Sequence, residues 1–284
     1  MSDPRTAFGR AADYDVHART QRHVAEALAA RIAALPLPEA PRVLEIGCGT
    51  GFLTVALRPR IGGDWTVTDL APEMLARCRA RIGAGPHYRV MDGERPDLSG
   101  ERFDLICSSL AFQWFADLPG ALERLTGLLA PGGRIAFATM AQDSFAEWRA
   151  AFAAAGLAPA TPDYPSIARL AALPGADVAE EHVVERHADA RAFLTALRGI
   201  GAQSPRAGHR PVSAAELRRV MAAFEAGGAR VTYHVAYAVV GGDALHPPRN
   251  GEGDHAQHGG GVPARIRGAP SATAWRPQAM RQML

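Results

Sequence analysis

The densest chemical pattern in the chain is Glu45-Ile46-Gly47-Cys48-Gly49-Thr50-Gly51. Glycines at alternate positions let backbone amides come close to a ligand, and a helix starting just after them offers its N-terminus to an anion such as a carboxylate. Glu45, ahead of the first glycine, suits a ligand that also carries an α-ammonium group. Asp69 lies 18 residues beyond Gly51, at the end of the next apolar run, where it can accept both hydroxyls of a ribose. Asp92, after the third run, is placed for an adenine amino group. Leu70, Gly93 and Ser108 complete the candidate cofactor set. A glycine-rich turn alone is weak evidence, because dinucleotide sites use one too. Here Phe52 stands where the dinucleotide pattern wants its third glycine. That spacing, with Glu45, favours S-adenosylmethionine over NAD.

Methyl transfer from a sulfonium is an in-line displacement, so the protein chiefly aligns donor and acceptor and excludes water. A carboxylate acceptor is already ionised at neutral pH and needs no general base. The segment Ser108-Ser109-Leu110-Ala111-Phe112-Gln113-Trp114-Phe115 is aromatic and polar and contains no base. All 31 basic residues are arginine, which removes Schiff-base, P-loop and lysine-base chemistry. The three cysteines and the histidines have no metal-ligand spacing, so no metal is expected. An anionic acceptor agrees with this inventory.

The elements that must hold these residues alternate along the chain. Apolar positions Val24, Leu28, Ile32 and Leu35 recur at helical spacing, which predicts an amphipathic helix over 16–35. Strands are expected over 43–46, 65–68, 87–90, 103–108 and 134–139, with helices over 52–57, 72–82 and 118–129 between them. Such alternation means a doubly wound parallel sheet, with Pro131-Gly132-Gly133 as the turn into the fifth strand. Helices over 145–155, 190–200 and 213–226 follow, the last opened by a capping box from Ser213 and Glu216. The stretch 156–190 reads as irregular, and the β-branched run 231–240 as a late strand.

Residues 243–284 hold five arginines against three acids, leaving 26 of each in 1–242. The body is therefore neutral, which argues against a nucleic-acid binder. The last 42 residues are rich in Gly, Pro, His and Arg and read as a disordered tail. Residues 1–242 are expected to form one domain, with an N-terminal arm over 1–40 and a helical cap over about 141–230. No apolar run is long enough to span a bilayer, and Met1-Ser2-Asp3-Pro4-Arg5 lacks a signal core, so a cytoplasmic protein is expected.

Several further segments resemble one enzyme family. They are Phe8-Gly9-Arg10 through Tyr14-Asp15, His17 and Gln21-Arg22, then Ser108 to Trp114, and late in the chain Leu197-Arg198-Gly199-Ile200-Gly201-Ala202, Gly208-His209-Arg210 and Val231-Thr232-Tyr233-His234. Over roughly 6–240 the chain resembles the malonyl-acyl-carrier-protein O-methyltransferases of biotin synthesis. The resemblance implies a Rossmann-like, seven-stranded methyltransferase sheet and methylation of the malonyl carboxylate on acyl carrier protein, or on malonyl-CoA. It places Tyr14, Gln113 and Trp114 around the sulfonium and acceptor, with Phe112 as a substrate wall. Arg149 is the candidate partner of the malonyl carboxylate, since a guanidinium fork matches it at two points. His17, His23 and His234 read as scaffold. Arg198, Arg206, Arg210, Arg218 and Arg219 are candidates for docking an acidic carrier. Other readings are a methyltransferase of a free small acid or quinone precursor, a repurposed assembly factor, and an NAD-dependent oxidoreductase.

Overall fold

A computed structural model describes residues 14–159, 161–200 and 211–241. The expected tail, Arg206, Arg210 and the side chain of Tyr14 lie outside the described residues. The chain opens with α1 (Tyr14–His17) and α2 (Arg19–Ala33). Then come β1 (Arg42–Ile46), α3 (Phe52–Ile61), β2 (Asp64–Asp69), α4 (Pro72–Ile82) and β3 (His87–Val90). They are followed by β4 (Phe103–Ser109), a short 3-10 turn (Phe112–Trp114), α5 (Leu118–Thr126) and β5 (Leu129–Met140). The second half holds α6 (Ala146–Ala154), α7 (Ile167–Ala171), β6 (Ala176–Arg186), α8 (Ala190–Gly199), α9 (Ala214–Ala226) and β7 (Arg230–Gly241).

The seven strands form one sheet in the order β3-β2-β1-β4-β5-β7-β6. Strands β1 to β5 pair in parallel, while β7 runs antiparallel to both of its neighbours. The sheet is therefore mixed, not all parallel. β1 and β4 are adjacent, yet their chains continue to opposite sides. Their carboxyl ends thus part at the switch point where open α/β sheets take ligands. One face is covered by α2, whose Val24, Leu28 and Ile32 are buried as the helical spacing predicts, together with Leu53, Leu57 and Trp65. The other face packs Leu44, Ile106, Phe112, Leu122, Leu125 and Phe137.

Three local expectations need correction. Helix α3 runs through Pro59 to Ile61. The proline sits in the last turn, so it removes one amide bond near an end that Gly62 closes by donating to Arg58. Pro131-Gly132-Gly133 is no turn into a strand but lies inside β5. The register jumps from Phe103↔Leu129 to Leu105↔Arg134, so the extra residues bulge out of the ladder. Residues 176–186, expected to be irregular within a helical cap, are strand β6 at the sheet's edge. Its inner-face acids hide the strand pattern because each has a specific partner. Glu185 accepts from the Thr20 amide at 3.1 Å and from its hydroxyl at 2.5 Å, and Glu181 accepts from Tyr237 Oη at 2.7 Å and lies 2.7 Å from His23 Nε2.

Candidate active site

The glycine loop leaves β1 with Gly47, Gly49 and Gly51 all at positive φ (66°, 54° and 90°), a region that costs other residues energy. A Cβ on Gly47 would lie 2.4 Å from the Ala111 Cβ, so this glycine lets the β4 turn press against the loop. That turn is itself strained: Leu110 is buried at φ 54° while its amide donates to the Ala138 carbonyl at 2.9 Å. The left-handed residue swings Ala111 to Trp114 across the carboxyl end of β1. Gly93 is equally confined, since a Cβ there would meet Ile46 Cγ2 at 2.2 Å.

Asp69 holds the loop from below. One carboxylate oxygen accepts the Gly49 amide at 2.8 Å and the other the Ala71 amide at 2.8 Å. A carboxylate oxygen can accept twice, so the group keeps acceptor capacity for a ligand hydroxyl. Burial pushes the carboxyl up, and the amides of Ala71 and Gly49 pull it back down. Asp92 is exposed beyond β3, where one oxygen accepts the Glu94 amide at 2.9 Å. Leu70 is half-buried between the two acids in sequence.

Glu45 sits deeper than a ligand-facing acid. It is 1% exposed, and its Oε2 accepts the Thr54 hydroxyl at 2.6 Å. Burial raises its carboxyl to about 8, against the lowering effect of that hydrogen bond. As placed, it braces the loop against α3. Ser108 is fully buried, and its hydroxyl donates to the Ile46 carbonyl at 2.8 Å, tying β4 to β1. Its side chain therefore points into the sheet rather than out toward a ligand.

On the acceptor side, Gln113 Oε1 accepts the Met140 amide at 3.3 Å, which leaves its NH2 group as a donor, and Trp114 is half-buried beside it. Phe112 corrects an expectation. It is 1% exposed and stacks on Phe115 (4.8 Å) and tilts against Phe137 (5.0 Å), so it belongs to the core instead of a substrate wall. Arg149 is also committed. Nη1 donates to the Gln142 carbonyl at 2.6 Å, Nε to Thr161 Oγ1 at 3.1 Å and Nη2 to the Pro162 carbonyl at 3.4 Å. In this arrangement it buckles the 142 and 161–162 segments together.

The sequence reading overlooked Thr50, Asp15 and Arg81 as a unit. Thr50, buried in the glycine loop, donates to Asp15 Oδ1 at 2.7 Å. Arg81 of α4 pairs with the other Asp15 oxygen and reaches Thr50 Oγ1 at 3.3 Å. Phe52 lies between Arg81 (4.9 Å) and Arg22 of α2 (5.1 Å). His17 packs against Gly199 at the end of α8, where a Cβ would come within 2.3 Å of the ring. The arm thus touches the donor loop and the second half of the chain within three residues. Its signal was the segment Tyr14-Asp15-x-His17, legible only as resemblance.

The chain is similar to known methyltransferases. Residues 44–137 match the family model described as a methyltransferase domain. A malonyl-(acyl-carrier protein) O-methyltransferase of Magnetococcus marinus is 48% identical over 240 residues, covering 81% of this chain and 88% of the relative. The corresponding Salmonella typhimurium protein is 36% identical over 242 residues, covering 82% and 94%. The Bordetella avium biotin biosynthesis bifunctional protein BioCD is 54% identical over 234 residues, 81% of this chain, which spans half of that relative's length. Among solved structures, the YcgJ protein of Bacillus subtilis aligns with a TM-score of 0.53 at 14% identity, over 76% of this chain and 97% of that one. At that identity the likeness speaks to the fold alone. No helix among the described residues is long and apolar enough to cross a membrane.

Proposed function

The chain belongs to the malonyl-acyl-carrier-protein O-methyltransferase family, and on that footing we propose that it methylates the free carboxylate of malonyl-acyl carrier protein. S-adenosylmethionine supplies the electrophilic methyl group. The observation that carries the reading is 48% identity to a relative of that name over 240 residues, 81% of this chain. It rests also on a glycine loop whose conformation is clamped by Asp69 from below and Asp15 from above.

The chain's own residues fit the donor. Positive φ at Gly47, Gly49 and Gly51 folds the loop back at the start of α3, where the helix dipole favours the methionine carboxylate. Asp69 offers its remaining acceptor directions to the ribose hydroxyls, with Asp92 toward the adenine. Glu45 acts through the loop, not by direct contact, holding α3 in register by way of Thr54. Gln113 and Trp114 flank the reacting centre, and the family resemblance assigns Tyr14 to the same wall. A malonate carboxylate is ionised at pH 7 and needs no proton removed, so alignment and exclusion of water do the catalysis. Arg149 contributes by fixing the loop wall of the acceptor side.

The carrier rather than coenzyme A is the proposed partner. Arg198 on α8 and Arg218 and Arg219 on α9 are exposed on adjoining helices, and carrier proteins are acidic. The test compares malonyl-carrier protein, malonyl-CoA and free malonate as acceptors. Charge reversal of Arg218 and Arg219 should raise KM for the carrier substrate and leave the CoA substrate unchanged. Equal turnover of free malonate would instead favour a small-acid methyltransferase.

A further inference from the structure

Far along the sheet from the glycine loop, three donor side chains with no sequence proximity converge on one point. His182 of β6 and His234 of β7 are directly opposed in the strand register. Their rings stack, 4.2 Å between centroids and 17° between planes. Asp143 arrives from the turn after β5, with Oδ2 3.3 Å from His234 Nδ1. One donor atom from each residue can be chosen so that all lie within 4.8 Å of one another.

The hydrogen bonds around His234 prepare it as a ligand. The ring is buried, and its Nε2 lies 2.8 Å from Glu180 Oε2, so that nitrogen carries the proton toward the carboxylate. The Asp143 amide approaches Nδ1 at 3.4 Å, which marks Nδ1 as the acceptor. The Nδ1 lone pair is held only by that long amide contact, which a bound cation would replace, and Asp143 Oδ2 lies 3.3 Å away to share the same ion. A tetrahedral ion with bonds of about 2.0–2.2 Å sets its ligands roughly 3.3–3.6 Å apart. A carboxylate holding the far nitrogen of a ligating histidine is the usual outer partner in such sites. His182 and Asp143 are exposed and can close the remaining gap by side-chain rotation.

We propose that Asp143, His182 and His234 bind one divalent transition-metal ion of the zinc class, with Glu180 orienting His234. Two imidazoles and one carboxylate select zinc, cobalt or nickel over magnesium and calcium. The ion ties β6 and β7 to the 141–145 turn. That turn leads from Met140, which holds Gln113, to Gln142, whose carbonyl holds Arg149. The inference stands independently of the methyl-transfer reading.

The test is calorimetric titration of the full chain, stripped of metal, with Zn2+, alongside the visible spectrum with Co2+ and the Tm with and without Zn2+. H182A and D143N serve as comparisons, both at exposed positions, and both retain the tail histidines. The expected result is one saturable equivalent in the wild type, a tetrahedral Co2+ spectrum and a Zn2+-dependent rise in Tm. Each variant should weaken that equivalent by about tenfold or more and lose the rise in Tm. Absence of a saturable equivalent would overturn the proposal. So would binding that is unchanged in both variants.

Discussion

Asp15 in the N-terminal arm accepts the hydroxyl of Thr50, in the middle of the glycine loop, across 35 residues of chain at 2.7 Å. Arg81 joins both, so arm, loop and α4 share one polar knot beside the donor site. Placement of the arm and shape of the loop are therefore one property.

Replacing Asp15 with Ala should release that knot. The ion pair is partly exposed, so its loss costs about 1 kcal/mol of stability. The functional effect should be larger, because the knot fixes the donor loop itself: a raised KM for S-adenosylmethionine and faster amide exchange over 14–20. Exchange unchanged in this segment would show that the arm is held by α2 alone.

Asp69→Asn tests the clamp below the loop. An amide can present one oxygen, so one of the Gly49 and Ala71 amides loses its acceptor. An unsatisfied amide costs about 1–3 kcal/mol. Donor affinity, measured calorimetrically, should fall by roughly one to two orders of magnitude, equivalent to about 1.4 kcal/mol per tenfold. An affinity within twofold of the wild type would place the ribose elsewhere.

Glu45 sets a pH dependence. Its folded carboxyl titrates near 8, against 4.5 for an ordinary one. Between those values the folded state keeps a proton that the unfolded chain has released, so stability falls as pH rises through that window. Glu45→Gln removes the titration. Urea unfolding from pH 5 to 8 should therefore show a flatter slope in the variant, by at most a few kcal/mol across the window, about 1.4 kcal/mol per pH unit. Parallel slopes would mean that the acid is charged in its pocket.

Phe112 and Trp114 should separate packing from function. Phe112→Ala removes a ring locked between Phe115 and Phe137 and should cost about 3–5 kcal/mol. Trp114→Ala, at a half-buried position, should lower kcat with a much smaller change in Tm. The reverse ranking in Tm would put Trp114 in the core and Phe112 at the acceptor.

The legible part of the molecule is where one periodicity meets one environment. Residues 72–82 and 87–90 read with the observed bounds, since the helix has Pro72 at its start and Gly83 at its end. The places of the glycine loop, Asp69 and Asp92 at the ends of β1, β2 and β3 were readable because each follows a short apolar run. Strand β6 was not, because Glu181 and Glu185 point inward to partners 158 and 165 residues away, and no local pattern encodes those. Phe112 and Arg149 have the right residue types for a substrate wall and a carboxylate clamp. Only the fold shows that one ring is in the core and the guanidinium already holds two carbonyls. Asp143, His182 and His234 are likewise brought together by β7 running between β5 and β6.

The most direct measurement is mass analysis of purified malonyl-acyl carrier protein after incubation with this protein and S-adenosylmethionine. The account requires the malonyl group to become heavier by one methyl, as an ester cleaved by mild base, with S-adenosylhomocysteine formed in equal amount. An unaltered malonyl thioester, under conditions where a free small acid or quinone precursor is methylated, would contradict it.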